Sequence, residues 1–386
     1  MNISKFVAPE IIFGLGALNQ VGESALRLGA TRVFVVTDRG VLESGWVEKT
    51  VFFLRQAKVS WEIWYNITSN PKDTEVMDGL HHYQQSECDA ILAVGGGSPI
   101  DVAKAIAMLA TNGGVVQDYE GVNKITRPLP PLLIVPSTAG SGSEVSQFAI
   151  IVDQKRKIKM AIISKSLVPD IAIVDPQLLQ TKDARLTAAT GVDALSHAIE
   201  SYVSLAATPL TDVQAINAVR LIAGNLRESV ACSTNLEAKS AMAMASLQAG
   251  LAFSNAILGA THAMTHQLDA RLGLHHGETN AVLLPYVMEF NRIACAAKYA
   301  RVAEAFGIDT ARLSVWAAAD AAIRAVRRLV RDIGIPETLA GMGLSDELIP
   351  VLSHNALKDA CIVTNPRDCT AEDIAAIFRR ALRGGR

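Results

Sequence analysis

Near residue 180 the chain changes character, and this limits what it can fold into. Before that point short β-branched runs alternate with helical stretches. "TRVFVVTD" (31–38), "DAILAVGGGS" (89–98), "PPLLIVPSTAGSGSE" (130–144), "FAIIVD" (148–153) and "IAIVD" (171–175) read as strands, and the helical "PIDVAKAIAMLATN" follows the second of them. Such alternation predicts a mostly parallel sheet covered by helices. From "DARLTAATGVDALSHAIESYVS" onward β signal is scarce, and Ala, Leu and Met recur at helical spacing. The expectation is an α/β domain over residues 1–180 and an all-helical domain over 181–386, with the boundary inside "DPQLLQTKDAR" (175–185). A chain of 386 residues suits two domains of about 100–200 residues each.

Charge narrows the partners. Lys plus Arg number 36 and Asp plus Glu 38, so there is no electrostatic case for nucleic acid or an anionic membrane. The arginines of "IRAVRRLVRD" alternate with Ile323, Val326, Val330 and Ile333, which reads as the solvated face of an amphipathic helix. The five cysteines, Cys88, Cys232, Cys295, Cys361 and Cys369, are scattered and form no CxxC. That points to reduced thiols in the cytoplasm. "MNISKFVAPEIIFGLGAL" lacks the basic start and apolar run of a signal peptide. No run of about 18 uncharged apolar residues suggests a membrane span.

In the first half "ILAVGGGSPID" (91–101) is a strand, a glycine turn and a helix opened by Pro99. Proline suits the first helical position, where its missing N–H goes unused. Gly95, Gly96 and Gly97 permit close backbone approach and positive φ, and a helix N-terminus favours an anion such as a pyrophosphate. The plainer reading is a tight turn between strand and helix. "PSTAGSGSE" (136–144) is a second hydroxyl-rich loop after a strand, and ligands of parallel sheets sit beyond the carboxyl ends of strands. Asp38 ends its own strand, where an acid accepts from adenosine ribose hydroxyls and repels a 2′-phosphate. A helix cap is the alternative for it. The acid here precedes the glycines, unlike the common dinucleotide fingerprint.

In the second half "GVDALSHAIES" (191–201) places Asp193 and His197 at i and i+4, and "THAMTH" does the same for His262 and His266. His276 follows, just before Gly277. Each alone is more simply a satisfied helical residue. Together, in an apolar domain where unpaired polar groups are costly, they form a candidate divalent-metal site. His81, His82 and His354 read as surface residues.

"VVTDRG", "AVGGGSPIDVAKAIA", "PSTAGSGSEVS", "TGVDALSHAIESYVS", "GLAFSNAILGATHAMTHQL", "HGETNAVLLPYVMEFN" and "NPRDCTAEDIAAIF" together resemble the iron-containing (group III) alcohol dehydrogenase family. Within it the chain is most similar to the lactaldehyde reductase and 1,3-propanediol dehydrogenase branch. The resemblance implies a dehydroquinate synthase-like fold, with an α/β nucleotide-binding domain, a helical domain and the active site in the cleft between them. It implies Asp193, His197, His262 and His276 as metal ligands, with His266 a neighbour that relays a proton. It further implies NAD(H) held by Asp38, Gly95, Gly96, Gly97, Ser98, Asp101, Thr138, Ser141, Ser143, Lys159 and Leu178. Two departures stand out: His275 replaces the proline usual before the last ligand, and Gln147 and Phe148 replace polar pocket residues. Phe148 and Phe253 suggest an apolar substrate wall.

The activity so implied is hydride transfer between a primary alcohol or small diol and NAD, the aldehyde being the product, with the metal acting as Lewis acid on the substrate oxygen. Iron(II) is the family expectation, and zinc suits the same donors. A zinc-dependent glycerol-type dehydrogenase acting on a secondary alcohol is the alternative. A homodimer or larger homo-oligomer is the expected assembly.

Overall fold

The structure, a computed structural model, describes residues 5–384, so the signal-peptide reading lies partly outside the described residues. Residues Val7–Thr181 form one compact unit and Lys182 onward the other. The first unit contains nine strands: β1 (Glu10–Phe13), β2 (Arg32–Val36), β3 (Ser60–Trp64), β4 (Ala90–Gly95), β5 (Gly121–Val122), β6 (Leu132–Pro136), β7 (Phe148–Asp153), β8 (Ile158–Ile163) and β9 (Ile171–Val174). Its helices are α1 (Val21–Arg27), α2 (Arg39–Glu43), α3 (Trp46–Gln56), α4 (Asp73–Gln85) and α5 (Gly97–Asn112). Six strands make one sheet in the order β1-β9-β6-β4-β2-β3, and every pairing in it is parallel.

The unbroken apolar runs explain this sheet, because strands covered on both faces need no polar alternation. Phe34, Val36, Ile91, Ala93 and Ile134 face one core with residues of α4 and α5. Val33, Val35, Leu92, Val94, Leu133 and Val135 face the other with residues of α1 and α3. The predicted parallel sheet is thus present. A second sheet, β5-β8-β7, was not expected, and its β7–β8 pair is antiparallel. The helix after β4 also starts earlier than its proline suggests, at Gly97. Pro99 still lies in the first turn, where backbone N–H groups have no partner within the helix.

The second unit is helical: α6 (Ala184–Val203), α7 (Pro209–Ala231), α8 (Leu236–Ala256), α9 (Ala260–Leu272), α10 (His276–Ala305), α11 (Val315–Asp332), α12 (Ile349–Ala356) and α13 (Ala371–Arg383). Side chains of Asp183, Thr208, Asn235, Ser314 and Thr370 cap five of these N-termini. On α11, Arg324, Arg328 and Arg331 are exposed, while Arg327 lies 4.3 Å over the Tyr286 ring. All five cysteines are free thiols. Among the described residues no single helix is long and apolar enough to cross a membrane.

Between α8 and α9 the axis turns by 101°. The turn passes through Ile257 at φ 62 and ψ −170, a region that is nearly glycine's alone. A β-branched residue there stores strain, which glycine would relieve at the cost of its own unfolded-state entropy. Ile257→Gly is expected to stabilise the chain by about 1 kcal/mol. Urea unfolding of the two proteins checks this, and a less stable glycine variant contradicts it.

Candidate metal centre and sheet-edge site

β2, β4 and β6 are neighbours in the sheet, and their carboxyl ends present the candidate cofactor residues. Asp38 follows β2, Gly95–Gly97 end β4, and Ser137–Ser143 follow β6, with Gly95 paired to Pro136. The glycines serve space and not positive φ: none of the three is left-handed. A Cβ on Gly96 would lie 3.2 Å from Thr138 Cγ2, and one on Gly97 3.1 Å from Ser141 Cβ. The two loops therefore pack directly against each other. Ser98, Thr138 and Ser141 are partly exposed there, and Ser143 is buried.

Asp38 does cap a helix, its Oδ1 accepting from Val41 N at 2.9 Å at the start of α2. A carboxylate has a second oxygen, so the cap leaves room for another role. Asp101 is buried, and its Oδ2 accepts from Ile150 N at 3.1 Å, pinning β7 to α5. Leu178 is fully buried in the core beside β9. Lys159 is half-buried on β8. Phe148 opens β7 and is buried.

Behind the loops lies a charged group that the sequence reading did not use. Lys104 is fully buried, and its Nζ donates to Ser146 O at 2.6 Å, Phe148 O at 3.0 Å and Ser146 Oγ at 3.2 Å. Burial pulls Lys104 down to about 8 and pushes Asp101 up to about 6, each opposed by the other's charge. Three acceptors around one Nζ fit an ammonium. Burial also pushes the Glu144 carboxyl up to about 7 from an ordinary 4.5. Between these values the folded chain holds a proton that the unfolded chain has lost, so stability falls as pH rises through that window. Glu144→Gln mimics the neutral acid. It is expected to melt above the parent at pH 8, by about 3 kcal/mol, and to lose most of that advantage by pH 5.

In the helical unit Asp193 and His197 lie on α6, His262 and His266 on α9, and His276 opens α10. Donor atoms of Asp193, His262 and His276 lie within 4.8 Å of one another. Nε2 of His197, His262 and His276 stand 3.8, 3.7 and 3.7 Å from the same oxygen, Asp193 Oδ1. Donors about 2.1 Å from a tetrahedral metal lie about 3.4 Å apart, so these separations are close to those of a ligand set. His197 stacks on His262 at 4.6 Å and on Phe253 at 4.5 Å. His266 stacks on His276 at 5.6 Å and groups instead with Asp359 and Cys361, while His197 nears Asp193 without joining the three mutually close donors. His275 is exposed and makes no side-chain cap.

Carboxylates that the sequence reading missed hold the imidazoles. His262 Nδ1 meets Glu200 Oε2 at 2.6 Å, His276 Nδ1 meets Asp269 Oδ2 at 2.6 Å, and His266 Nδ1 meets Asp359 Oδ2 at 2.9 Å. Such pairs fix the tautomer and turn Nε2 away from the carboxylate, for His262 and His276 toward Asp193. Glu200 also accepts from Thr261 N at 2.6 Å and Gly259 N at 3.3 Å at the start of α9. A Cβ on Gly259 would stand 3.0 Å from Glu200 Oε1, which explains the glycine. A Cβ on Gly277 would reach within 2.3 Å of Ala189 O, so α10 can approach α6 only with glycine after His276.

The electrostatics suit a cation. Burial opposes ionisation of Asp193, yet His197, His276 and His262 hold its carboxyl far below the ordinary range. Burial also opposes charge on His262, but Asp193 and Glu200 push it up to about 9. Asp193, Glu200 and Asp269 are all buried. With neutral imidazoles this is a concentration of negative charge that a divalent ion would balance.

Comparison with known proteins agrees with this layout. Residues 8–176 match the family described as iron-containing alcohol dehydrogenase, and residues 187–382 match its C-terminal part. The 1,3-propanediol dehydrogenase of Klebsiella pneumoniae is 45% identical over 97% of this chain and 98% of its own length. The NAD-dependent methanol dehydrogenase of Bacillus methanolicus is 42% identical over 98% of this chain and 99% of its own. A crystal structure of a 1,3-propanediol oxidoreductase superposes with a TM-score of 0.97 at 44% identity, over 99% of this chain and 100% of that one. An α/β unit followed by a helical unit is the dehydroquinate synthase-like fold that the sequence motifs implied. By both halves of its length, the chain belongs to the iron-containing alcohol dehydrogenase family, oxidoreductases that act on alcohols.

Proposed function

We propose that the chain interconverts a primary alcohol or small diol and its aldehyde, using NAD(H) and Fe2+ held by Asp193, His197, His262 and His276. The observation that carries this is the convergence of three imidazole Nε2 atoms on Asp193 Oδ1. An ion bound there supplies Lewis acidity to the substrate oxygen. Glu200 and Asp269 keep Nε2 of His262 and His276 turned inward. Asp359 holds His266 Nδ1, which leaves Nε2 to take and release the proton of the hydroxyl. Phe253, stacked on His197, keeps water from one side of the cluster.

For the cofactor, Gly95–Ser98, Thr138, Ser141 and Ser143 offer a small-residue edge for a pyrophosphate, while Asp101 shapes it through Ile150. The carboxylate of Asp38 favours an unphosphorylated ribose. Lys159 and Leu178 are proposed beside the adenosine half, with Leu178 acting through packing. Phe148 remains a candidate for the apolar wall. The relatives' names, a propanediol and a methanol dehydrogenase, support primary alcohols and NAD. Free thiols suit the cytoplasm, and family membership supports a homodimer or larger assembly.

Three nitrogens and one oxygen also suit zinc, so the test includes both metals. Protein purified without oxygen, stripped and reloaded with Fe2+ or Zn2+, is assayed against primary alcohols, diols and glycerol-type secondary alcohols with NAD+ and NADP+. Highest turnover of primary substrates with Fe2+ and NAD+ is expected. Preference for secondary alcohols with Zn2+ would favour the polyol reading, and full activity without metal would contradict both.

A further inference from the structure

Asn280 lies one turn beyond His276 on α10 and is fully buried. Its Nδ2 donates to Asp193 Oδ1 at 2.8 Å and stands 3.1 Å from His262 Nε2 and 3.2 Å from His276 Nε2. The imidazoles themselves remain 3.7–3.8 Å from that oxygen, too far to hold it by a hydrogen bond. An amide nitrogen only donates. The opposite amide orientation would press an oxygen against the Asp193 carboxylate oxygen, so that contact fixes the assignment. At the other end Oδ1 is buried with no partner among the described residues. An asparagine serving structure alone would use that acceptor, since leaving it unpaired costs about 1–3 kcal/mol.

We propose that Asn280 is a positioning residue of the metal centre, its carboxamide setting the orientation of Asp193 and the spacing of His262 and His276. The proposal rests on reading this cluster as a metal centre. It assigns Asn280 no bond to the reacting atoms. Its effect passes through the three donors, and it acts on metal affinity and ligand geometry before it acts on turnover. The i,i+4 relation to His276 makes the arrangement rigid, because one helix face carries both side chains.

The test uses Co2+ as a spectroscopic probe on the stripped full-length chain. The parent is expected to bind one equivalent with distinct visible bands, and His262→Ala to lose it; if the parent shows no such site, the metal-centre reading falls and takes this proposal with it. Given a parent that binds, Asn280→Leu and Asn280→Ala are expected to raise the Co2+ dissociation constant about 10- to 100-fold and to shift the bands. NADH affinity and the metal-free circular dichroism should match the parent. Parent-like affinity and spectrum in both folded variants would overturn the assignment to Asn280 while leaving the metal centre standing. Loss of folding in both would also overturn it, by making Asn280 a structural residue.

Discussion

Replacing Glu200 with alanine is expected to cost about 3–5 kcal/mol of stability and to remove the metal. Glu200 is buried on α6, one turn after His197. It accepts from Thr261 N at 2.6 Å and Gly259 N at 3.3 Å, and it meets His262 Nδ1 at 2.6 Å. It thus does two things. As an anion at the N-terminus of α9 it satisfies donors that have no partner within the helix and opposes the helix dipole. As the partner of Nδ1 it turns His262 Nε2 toward Asp193. Burial alone would push its carboxyl up, yet His262 and Thr261 hold it below the ordinary value. Alanine leaves the Thr261 and His262 donors buried without this acceptor. Glutamine retains one oxygen and should recover part of the stability, but its amide cannot accept at two places. Urea unfolding and metal stoichiometry of both variants measure this. A Glu200→Ala chain within 1 kcal/mol of the parent would show that the helix start is satisfied in another way.

Much of this could be read from the chain because its signals are local. The runs at 33–36, 90–95, 132–136 and 171–174 are free of charged and hydrogen-bonding side chains, as strands covered on both faces tend to be. β8 gives a weaker signal because "IKMAII" carries a lysine at its second position and pairs in the small second sheet, not in the main one. Of the two reasons offered for the glycine triplet, close approach holds and positive φ does not: Gly95 packs on Pro99, Gly96 on Thr138 and Gly97 on Ser141, the last two being long-range contacts that dihedral preferences do not reveal. Glu200 and Asp269 had a local signal. Asp193, His197 and Glu200 are spaced i, i+4, i+7, and so are His262, His266 and Asp269, giving a titratable stripe on one face of each of two helices. Asp359 had none, since it meets His266 across 93 positions of sequence. Asn280 repeats the i,i+4 spacing from His276, but an amide in a helix announces no charge and draws no notice.

Lys104→Met is expected to destabilise the nucleotide unit by about 3–5 kcal/mol and to weaken NADH binding. Methionine keeps most of the volume, so the loss is electrostatic. Two carbonyls, Ser146 O and Phe148 O, lose their donor. Asp101, one turn earlier on α5, loses the charge that favours its ionised form. Asp101 and Lys104 together tie α5 to Ser146, Phe148 and Ile150, so the segment leading from the Thr138–Ser143 loop into β7 is anchored by a buried cation and a buried anion. Releasing it should loosen that loop, and nucleotide affinity should fall with stability. The double variant Asp101→Asn with Lys104→Met removes both charges and should recover part of the loss, because the penalty arises from the uncompensated partner. Denaturant unfolding and NADH fluorescence titration of the single and double variants decide it. If the double variant is no better than the sum of the singles, Lys104 matters through its three hydrogen bonds and not through Asp101.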